Sequence, residues 1–260
     1  KQLEQLLIDG KKSKSIEDKV SVVSIMFANN EIGTIQPIEE IGRLCRKYEV
    51  TFHTDAVQAV GQIPLYVRKL PIDMLSASAH KFHGPKGVGF LYIRDGVTMP
   101  SFIHGGGQES GKRAGTENVA GIVGMAKALS IAQTEIQRKQ REETNLRNYF
   151  IRELKREIPD VRLNGHPEKR LPGNVNVSFR KVSGTALLVL LEEEGIYASA
   201  GSACSAGKTS LSHVIKAIQV PKEYAYGTIR FTLGRETTKR EVDRTISVLK
   251  NSVNILRQEL

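Results

Sequence analysis

The sequence has few cysteines, no long apolar run and no recognisable leader, and each absence excludes a class of protein. Cys45 and Cys204 are the two cysteines, too few for a disulfide scaffold or a cysteine-based metal site. No apolar run approaches the roughly 20 residues that span a bilayer. The first residues, KQLEQLLIDGKKSKSIEDK, contain neither the apolar core of a secretory signal nor an arginine-rich transit pattern. The sequence therefore predicts a soluble, cytoplasmic protein with no membrane span and no metal site.

The excess of positive charge has two explanations. Lys and Arg number 38 against 28 Asp and Glu, a net charge of +10. Basic surfaces bind nucleic-acid phosphates, so a nucleic-acid partner is one explanation. The basic residues, however, alternate with acids at helical spacing in stretches such as EIQRKQREETNLRNYFIRELKREI. This pattern is typical of solvated helix faces, which the sequence favours over a nucleic-acid surface.

The first half of the chain alternates strands with helices. Apolar, β-branched runs predict strands at VSVVSIMF, VTFH, DMLSAS and GVGFLYI, and Pro37 begins a predicted helix. Parallel or mixed sheets of this kind bind ligands beyond the carboxyl ends of their strands. That rule places one group of polar residues along a single rim: Asn29, Asn30, Asp55, Gln58, Ser78, His80 and Lys81.

The second half predicts a smaller α/β unit after a long charged helix that runs from about Val119 toward Ile158. Its predicted strands are NVNVSF, IYAS and TIRFTL, and its helix GTALLVLLEEE ends at Gly195. Thr238 and Glu241 form a capping box for the last helix. We therefore expect two domains, residues 1–135 and 136–260.

The two cysteines have different surroundings. Cys45 shares a helical face with apolar residues in PIEEIGRLCRKY, which predicts a core position. Cys204 lies in SAGSACSAGK, among small residues that cannot bury it. The thiol of Cys204 is therefore the candidate reactive group.

Lys81 and Asp55 together indicate a cofactor. A lone loop lysine is usually only solvated, but Lys81 follows one predicted strand and Asp55 ends another. A carboxylate keeps the ring nitrogen of pyridoxal phosphate (PLP) protonated, and a lysine supplies the Schiff base. The pair therefore predicts PLP chemistry.

The order of motifs resembles a known family. Six strings carry the resemblance to the cysteine desulfurases of the class-V aminotransferase group, which are PLP enzymes of fold type I: NNEIGTIQP, HTDAVQAVG, SASAHKFHGPKG, GGGQESGKRAGT, SAGSACSAG and IRFTLGR. The resemblance implies an α/β fold with a mixed, mostly parallel sheet in a large domain and a smaller C-terminal α/β domain. It also implies conversion of L-cysteine to L-alanine with a persulfide on Cys204, and sulfur delivery to an iron–sulfur scaffold or a tRNA-thiolation enzyme.

The resemblance assigns roles residue by residue. Lys81 matches the Schiff-base lysine, Asp55 the partner of the ring nitrogen, Gln58 the donor to the ring hydroxyl oxygen, Ser78 a phosphate ligand and His80 a pocket residue placed for proton transfer. Thr116 matches a residue that reaches the cofactor of the partner subunit, which implies a homodimer. Asn30 matches a ligand of cofactor and substrate, and Arg230 the clamp on the substrate carboxylate.

Several alternatives stay open from the sequence. Asn30 is also suited to forming a turn, Thr116 to capping a helix, Arg230 to the surface, and His104 to a turn or subunit contact. The resemblance implies an N-terminal portion of roughly a hundred residues, with a phosphate-binding helix start and a ring-stacking histidine, that these residues do not contain. A fragment unable to hold PLP is therefore one alternative to a desulfurase. A selenocysteine lyase on the same scaffold is the other.

Overall fold

A computed structural model describes residues 1–200 and 211–258 of the chain. Helices and strands both occur along these residues, as the hydrophobic pattern predicts. The elements are α1 Gln2–Lys12, β1 Val22–Ser24, α2 Ile38–Lys47, β2 Thr51–Asp55, β3 Met74–Ser78, β4 Gly89–Ile93, α3 Val119–Glu157, β5 Val161–Leu163, β6 Asn174–Phe179, α4 Gly184–Glu193, α5 His213–Ala217, α6 Lys222–Ala225, β7 Thr228–Thr232 and α7 Lys239–Gln258, with single 3₁₀ turns at Ala79–Phe82 and Glu109–Gly111.

The described residues divide into two compact units. The first comprises residues 1–27 and 36–136, and the second comprises residues 28–35 and 137–260 as far as they are described. Residues 28–35, which include Asn29 and Asn30, lie early in the chain but belong to the second unit. The expected domains at 1–135 and 136–260 stay a prediction, because compactness alone does not show that each folds independently.

The first unit contains a four-stranded sheet in the order β1-β2-β3-β4. The strands β1, β2 and β3 are parallel, and β4 is antiparallel to β3. In β2 and β3, alternate side chains are buried, as period-two pleating requires: Phe52, Thr54, Leu75 and Ala77. The mixed, mostly parallel sheet confirms the expected α/β class.

The second unit contains a three-stranded antiparallel sheet in the order β5-β6-β7. All six residues of β6 are buried. Val175, Val177 and Phe179 contribute to an apolar core that α4 and α7 complete. The intervening Asn174, Asn176 and Ser178 are buried as well, so the strand has a polar face that is covered by protein.

Several predicted elements differ in extent. The strand predicted over residues 20–27 is reduced to Val22–Ser24, and IYAS forms no strand beyond an isolated bridge between Ser199 and Arg230. Pro37 precedes α2 as its N-cap instead of occupying its first turn. The long helix is confirmed at Val119–Glu157, as is the capping box, because the N–H of Thr238 donates to the Glu241 carboxylate over 2.7 Å.

One helix among the described residues, α3, contains an 18-residue stretch long and apolar enough to cross a membrane by length and composition. Charged residues such as Lys127 interrupt this stretch, so it does not form a continuous apolar run. A single such helix is weak evidence, because core helices of soluble proteins pass the same test. The absence of a membrane span therefore stays a prediction.

Candidate functional site

The carboxyl ends of β2 and β3 bring the first candidate residues to one sheet edge. Asp55 is the last residue of β2 and pairs with Ser76 of β3, and Ser78 ends β3. Parallel strands end at the same edge, so Asp55 and Ser78 lie on neighbouring strand ends, as the sequence predicts. Asp55 is exposed, and its Oδ1 accepts a hydrogen bond from the N–H of Val57 over 2.9 Å, which turns the chain away from the sheet.

A 3₁₀ turn positions Lys81 directly after β3. The side chain of Gln62 donates to the Lys81 carbonyl over 2.9 Å, and Phe82 is buried beside it. Gly61 allows this packing, because a Cβ there would lie 2.5 Å from the Cβ of Phe82. A hydrogen bond to its carbonyl and the packing of Phe82 thus hold Lys81 in place, while its side chain is exposed.

Ser78 and His80 contact each other. The Oγ of Ser78 and the Nδ1 of His80 are 2.7 Å apart. His80 is exposed and Ser78 is half-buried, so both polar groups face the same edge of the first unit. Gln58, in the turn after β2, is also half-buried. Asp55 and Ser78 therefore end neighbouring strands at one sheet edge, and His80 and Lys81 follow β3 directly.

Asn30 and Arg230 lie together in the second unit. Arg230, on β7, donates from Nη1 to the Asn30 carbonyl over 3.0 Å. Arg230 is half-buried, so it is not a surface cation. The turn former is the preceding residue, since Oδ1 of Asn29 accepts from the N–H groups of Glu31 and Ile32, both over 2.9 Å.

The polar face of β6 supports the same turn. The carboxamides of Asn174 and Asn176 donate to the Glu31 carbonyl over 3.0 and 3.1 Å. Arg170 donates to the Ile32 carbonyl over 3.1 Å and to the side chain of Asn174 over 2.9 Å. Desolvation, with the charge of Arg147 adding to it, lowers the pKa of Arg170 to about 10. The buried side chains of Asn174, Asn176 and Arg170 thus hold the turn that carries Asn30.

The remaining candidates have separate settings. Thr116 and His104 are exposed in the segment before α3, and Asn118 rather than Thr116 caps that helix, because its Oδ1 accepts from the N–H of Gly121 over 3.1 Å. Cys204 lies outside the described residues. Cys45 is fully buried, which confirms its core position, and burial raises the pKa of its thiol. Among the described residues, no cluster of three or more His, Cys, Asp or Glu suits a metal ion.

The residues that support the candidate residues were not predicted from the sequence. Gln62, Gly61 and Glu31 hold the backbone or neighbours of the candidate residues, yet each lacks a local signal. Glu31 lies inside the string NNEIGTIQP, but nothing in that string indicates that its carboxylate is buried.

The fold and this edge define an α/β protein that presents a lysine and a carboxylate at adjacent strand ends. The chain belongs to the aminotransferase class-V family, whose pattern matches residues 3–245. It is 52% identical over 244 residues to cysteine desulfurase IscS of Dictyoglomus turgidum and 51% identical over 243 residues to that of Methanosarcina thermophila, covering 94% of this chain in both cases. A solved NifS-like protein, 41% identical, superposes with a TM-score of 0.83 over 98% of this chain and 65% of its own.

The chain spans 62% and 60% of the lengths of those two desulfurases. Members of the family are PLP-dependent, and the NifS-like neighbour confirms the expected fold type. The side chains at the edge of the first unit fit PLP, because they include an exposed amine for its aldehyde and an exposed carboxylate for its ring nitrogen.

Proposed function

We propose that this chain acts as a PLP-dependent cysteine desulfurase, which converts L-cysteine to L-alanine and leaves a persulfide on Cys204. The observation that carries the proposal is the placement of Asp55 and Lys81 after neighbouring parallel strands, in a chain half identical to proteins named cysteine desulfurase. Those names favour cysteine over selenocysteine as the substrate.

The first unit holds the cofactor in this proposal. When bound, PLP supplies an electron sink for the bonds around the substrate α-carbon. Lys81 supplies the amine that attaches the cofactor, and Asp55 keeps its ring nitrogen protonated. Gln58 donates to the ring oxygen and Ser78 binds the phosphate. Thr116 binds the phosphate of the cofactor that a partner subunit holds.

Three of the candidate residues act on the substrate in this proposal. The planar guanidinium of Arg230 binds the cysteine carboxylate in bidentate fashion, and the carboxamide of Asn30 binds substrate and cofactor. His80 moves a proton on Nε2, because its Nδ1 faces the hydroxyl of Ser78.

Cys204 takes the sulfur. Its thiolate attacks the sulfur of the substrate, so that an S–S bond forms as the Cβ–S bond breaks. The bonding pair stays with the carbon fragment, which takes up a proton and leaves as alanine. A free thiol has a pKa of about 8.5, so only a few per cent is ionised at neutral pH, and the site must favour the thiolate. The persulfide then transfers its outer sulfur to an acceptor protein.

The assembly in which the chain works is also a proposal. We expect a cytoplasmic homodimer, which the resemblance of Thr116 to a cross-subunit residue supports. We expect the sulfur acceptor to be an iron–sulfur scaffold or a tRNA-thiolation enzyme, as the family resemblance implies.

Borohydride reduction tests the cofactor site. After incubation with PLP, reduction is expected to attach the cofactor to Lys81, as peptide mass spectrometry will show. Lys81→Ala should abolish this attachment. Lys86→Ala, which removes an exposed lysine five residues further on, should leave it unchanged. A folded chain with no attachment at Lys81 would refute PLP binding by this chain.

Persulfide labelling tests the sulfur step. With L-cysteine, the chain is expected to form a persulfide on Cys204 and release alanine, and Cys204→Ala should lose the persulfide while retaining the cofactor. Cys45→Ala is the matched control, because Cys45 is fully buried. Persulfide formation that persists in Cys204→Ala would contradict the assignment.

A further inference from the structure

The segment that carries Cys204 is flanked by two tied residues. On its N-terminal side, the backbone of Ser199 pairs with that of Arg230, with N···O distances of 3.1 and 2.7 Å. On its C-terminal side, the hydroxyl of Ser212 donates to Oε2 of Glu31 over 2.6 Å. Ser199 and Ser212, which flank Cys204 in the sequence, are therefore both held by hydrogen bonds.

Both ties lead to the same turn. Arg230 donates to the carbonyl of Asn30, and Ser212 donates to the carboxylate of Glu31, the next residue. The pairs are separated by 200 and 181 residues in sequence, so only the fold brings them together. The turn that carries the predicted substrate ligand Asn30 therefore also holds both ends of the cysteine segment.

Glu31 is well suited to be an anchor because its own position is fixed. Its N–H donates to Oδ1 of Asn29, and its carbonyl accepts from the carboxamides of Asn174 and Asn176. The residue is only 2% exposed. Its carboxylate consequently has little freedom to follow Ser212 if that residue moves.

Ser212 passes the constraint to α5. Its Oγ accepts from the N–H groups of Val214 and Ile215 over 3.1 and 3.4 Å, which caps the short helix. Both residues are buried in a small apolar cluster with Ile32. A serine side chain caps a helix without help from a carboxylate. Burying a carboxylate is unfavourable unless the carboxylate is hydrogen-bonded. The carboxylate of Glu31 thus requires an explanation beyond the stability of α5.

We propose that Glu31 is a positioning residue which, through Ser212, fixes the C-terminal end of the segment that carries Cys204. Ser212 follows Cys204 by eight residues in the sequence, so holding Ser212 in place is expected to affect sulfur transfer to Cys204. The consequence for sulfur transfer rests on the proposed function, whereas the anchor itself does not.

Amide hydrogen exchange tests the anchor. Glu31→Ala and Ser212→Ala are each expected to speed exchange at Val214 and Ile215 about tenfold, because a buried partner is left unsatisfied. The double variant should show no further increase, since both changes break the same link. Glu31→Gln retains an acceptor and should restore most of the protection.

A matched serine cap supplies the control. Ser183 caps α4, a different helix, by accepting from the N–H of Ala186. Ser183→Ala should leave exchange at Val214 and Ile215 as in the unaltered chain. Unchanged exchange at these amides in Glu31→Ala would overturn the anchor, as would an equal increase in Ser183→Ala.

Sulfur transfer tests the positioning role. In the PLP-loaded protein, Glu31→Ala should slow persulfide formation on Cys204 about tenfold without changing the cysteine concentration for half-saturation or the cofactor spectrum. Glu31→Gln should recover the rate, and Ser183→Ala should not lower it. An unchanged rate in Glu31→Ala would overturn the positioning role. If the unaltered protein forms no persulfide, the proposed function fails, and hydrogen exchange still decides whether Glu31 anchors Ser212.

Discussion

The protonation of His53 should make the stability of the first unit depend on pH. His53 is half-buried in β2, and its Nδ1 lies 2.8 Å from the Oγ of Ser24. Desolvation lowers the pKa of His53 below 6.5, and the charge of Asp55 offsets part of this effect. The unfolded chain then binds the proton more readily than the folded chain. Stability is therefore fully present above pH 6.5 and is lost as the pH falls toward the folded-state pKa.

Urea denaturation at about pH 7.5 and about pH 5.5 measures this dependence. His53→Asn removes the titrating group and should reduce the loss of stability on acidification. His83→Asn, at an exposed position whose φ of 67° suits asparagine, is the control and should keep the loss. An equal pH dependence in the unaltered chain and His53→Asn would contradict the prediction.

Gly33 is a second position where one residue decides local stability. Its φ is +73°, and an added Cβ would lie 2.5 Å from Oδ1 of Asn174. Moving Asn174 would break its hydrogen bonds to Glu31 and Arg170. Gly33→Ala should therefore lower the free energy of unfolding by about 2–4 kcal/mol, measured by urea denaturation.

Gly195→Ala provides the comparison for Gly33→Ala. Gly195 has a similar φ of +70°, but nothing lies within 4 Å of its added Cβ. Gly195→Ala should therefore lower the free energy of unfolding only by the cost of a left-handed backbone conformation, about 1 kcal/mol. Equal losses in the two variants would show that Asn174 adapts without penalty.

Single residues were predictable where their chemistry is local. Asp55 and Ser78 were found because each ends an apolar run, and parallel strands bring such ends together. Glu31 was not singled out, because its partners Asn174 and Asn176 lie more than 140 residues away. Tertiary contacts of that separation leave no trace in a local pattern.

At the scale of elements, the start of α7 should depend on its capping box. The N–H of Thr238 donates to the carboxylate of Glu241, and the N–H of Glu241 donates back to the Thr238 hydroxyl over 3.3 Å. Hydrogen bonds from the backbone and then the side chain of Thr238 lower the pKa of Glu241. Thr238→Ala should lower the free energy of unfolding by about 1 kcal/mol in urea denaturation, and Thr238→Ser should retain it.

A threonine inside the same helix gives the control for this cap. The hydroxyl of Thr245 donates to the Glu241 carbonyl within the helix, where alanine has the higher propensity. Thr245→Ala should therefore change stability by less than about 0.5 kcal/mol. A loss in Thr245→Ala as large as that in Thr238→Ala would mean that the cap contributes nothing of its own.

Elements with strong periodicity or caps were predicted well, and short edge elements were not. The capping box predicted the start of α7, and the charged helical spacing predicted α3. The string IYAS has strand composition, but only Ser199 finds a partner, in Arg230. Whether such a segment becomes a strand depends on which neighbours the fold offers it, and composition does not supply that information.

At the scale of the whole molecule, the division into units does not follow the order of the chain. Residues 28–35 cluster with the second unit, whereas the flanking stretches belong to the first. Asn29 and Asn30 were expected on the same rim as Asp55 because all three follow apolar runs. The contacts to Asn174, Asn176 and Arg170 that draw this turn into the second unit are invisible in a strand-by-strand account.

The exposed apolar residues of α3 lead to a prediction about association. Val119 and Val123, one helical turn apart, are 66% and 62% exposed. Adjacent exposed apolar residues favour self-association in water. Light scattering after gel filtration should therefore show a mass above that of a single 28.8 kDa chain, and Val123→Lys should lower it.

An exposed valine elsewhere makes this test specific. Val189 on α4 is 52% exposed and lies in the second unit, whereas Val119 and Val123 lie in the first, so Val189→Lys adds the same charge on a different helix. We expect Val189→Lys to leave the measured mass unchanged, because association depends on the apolar face of α3 rather than on net charge. If both variants lowered the mass equally, general repulsion between basic chains would explain the effect. If neither did, the exposed face of α3 would not be an association surface.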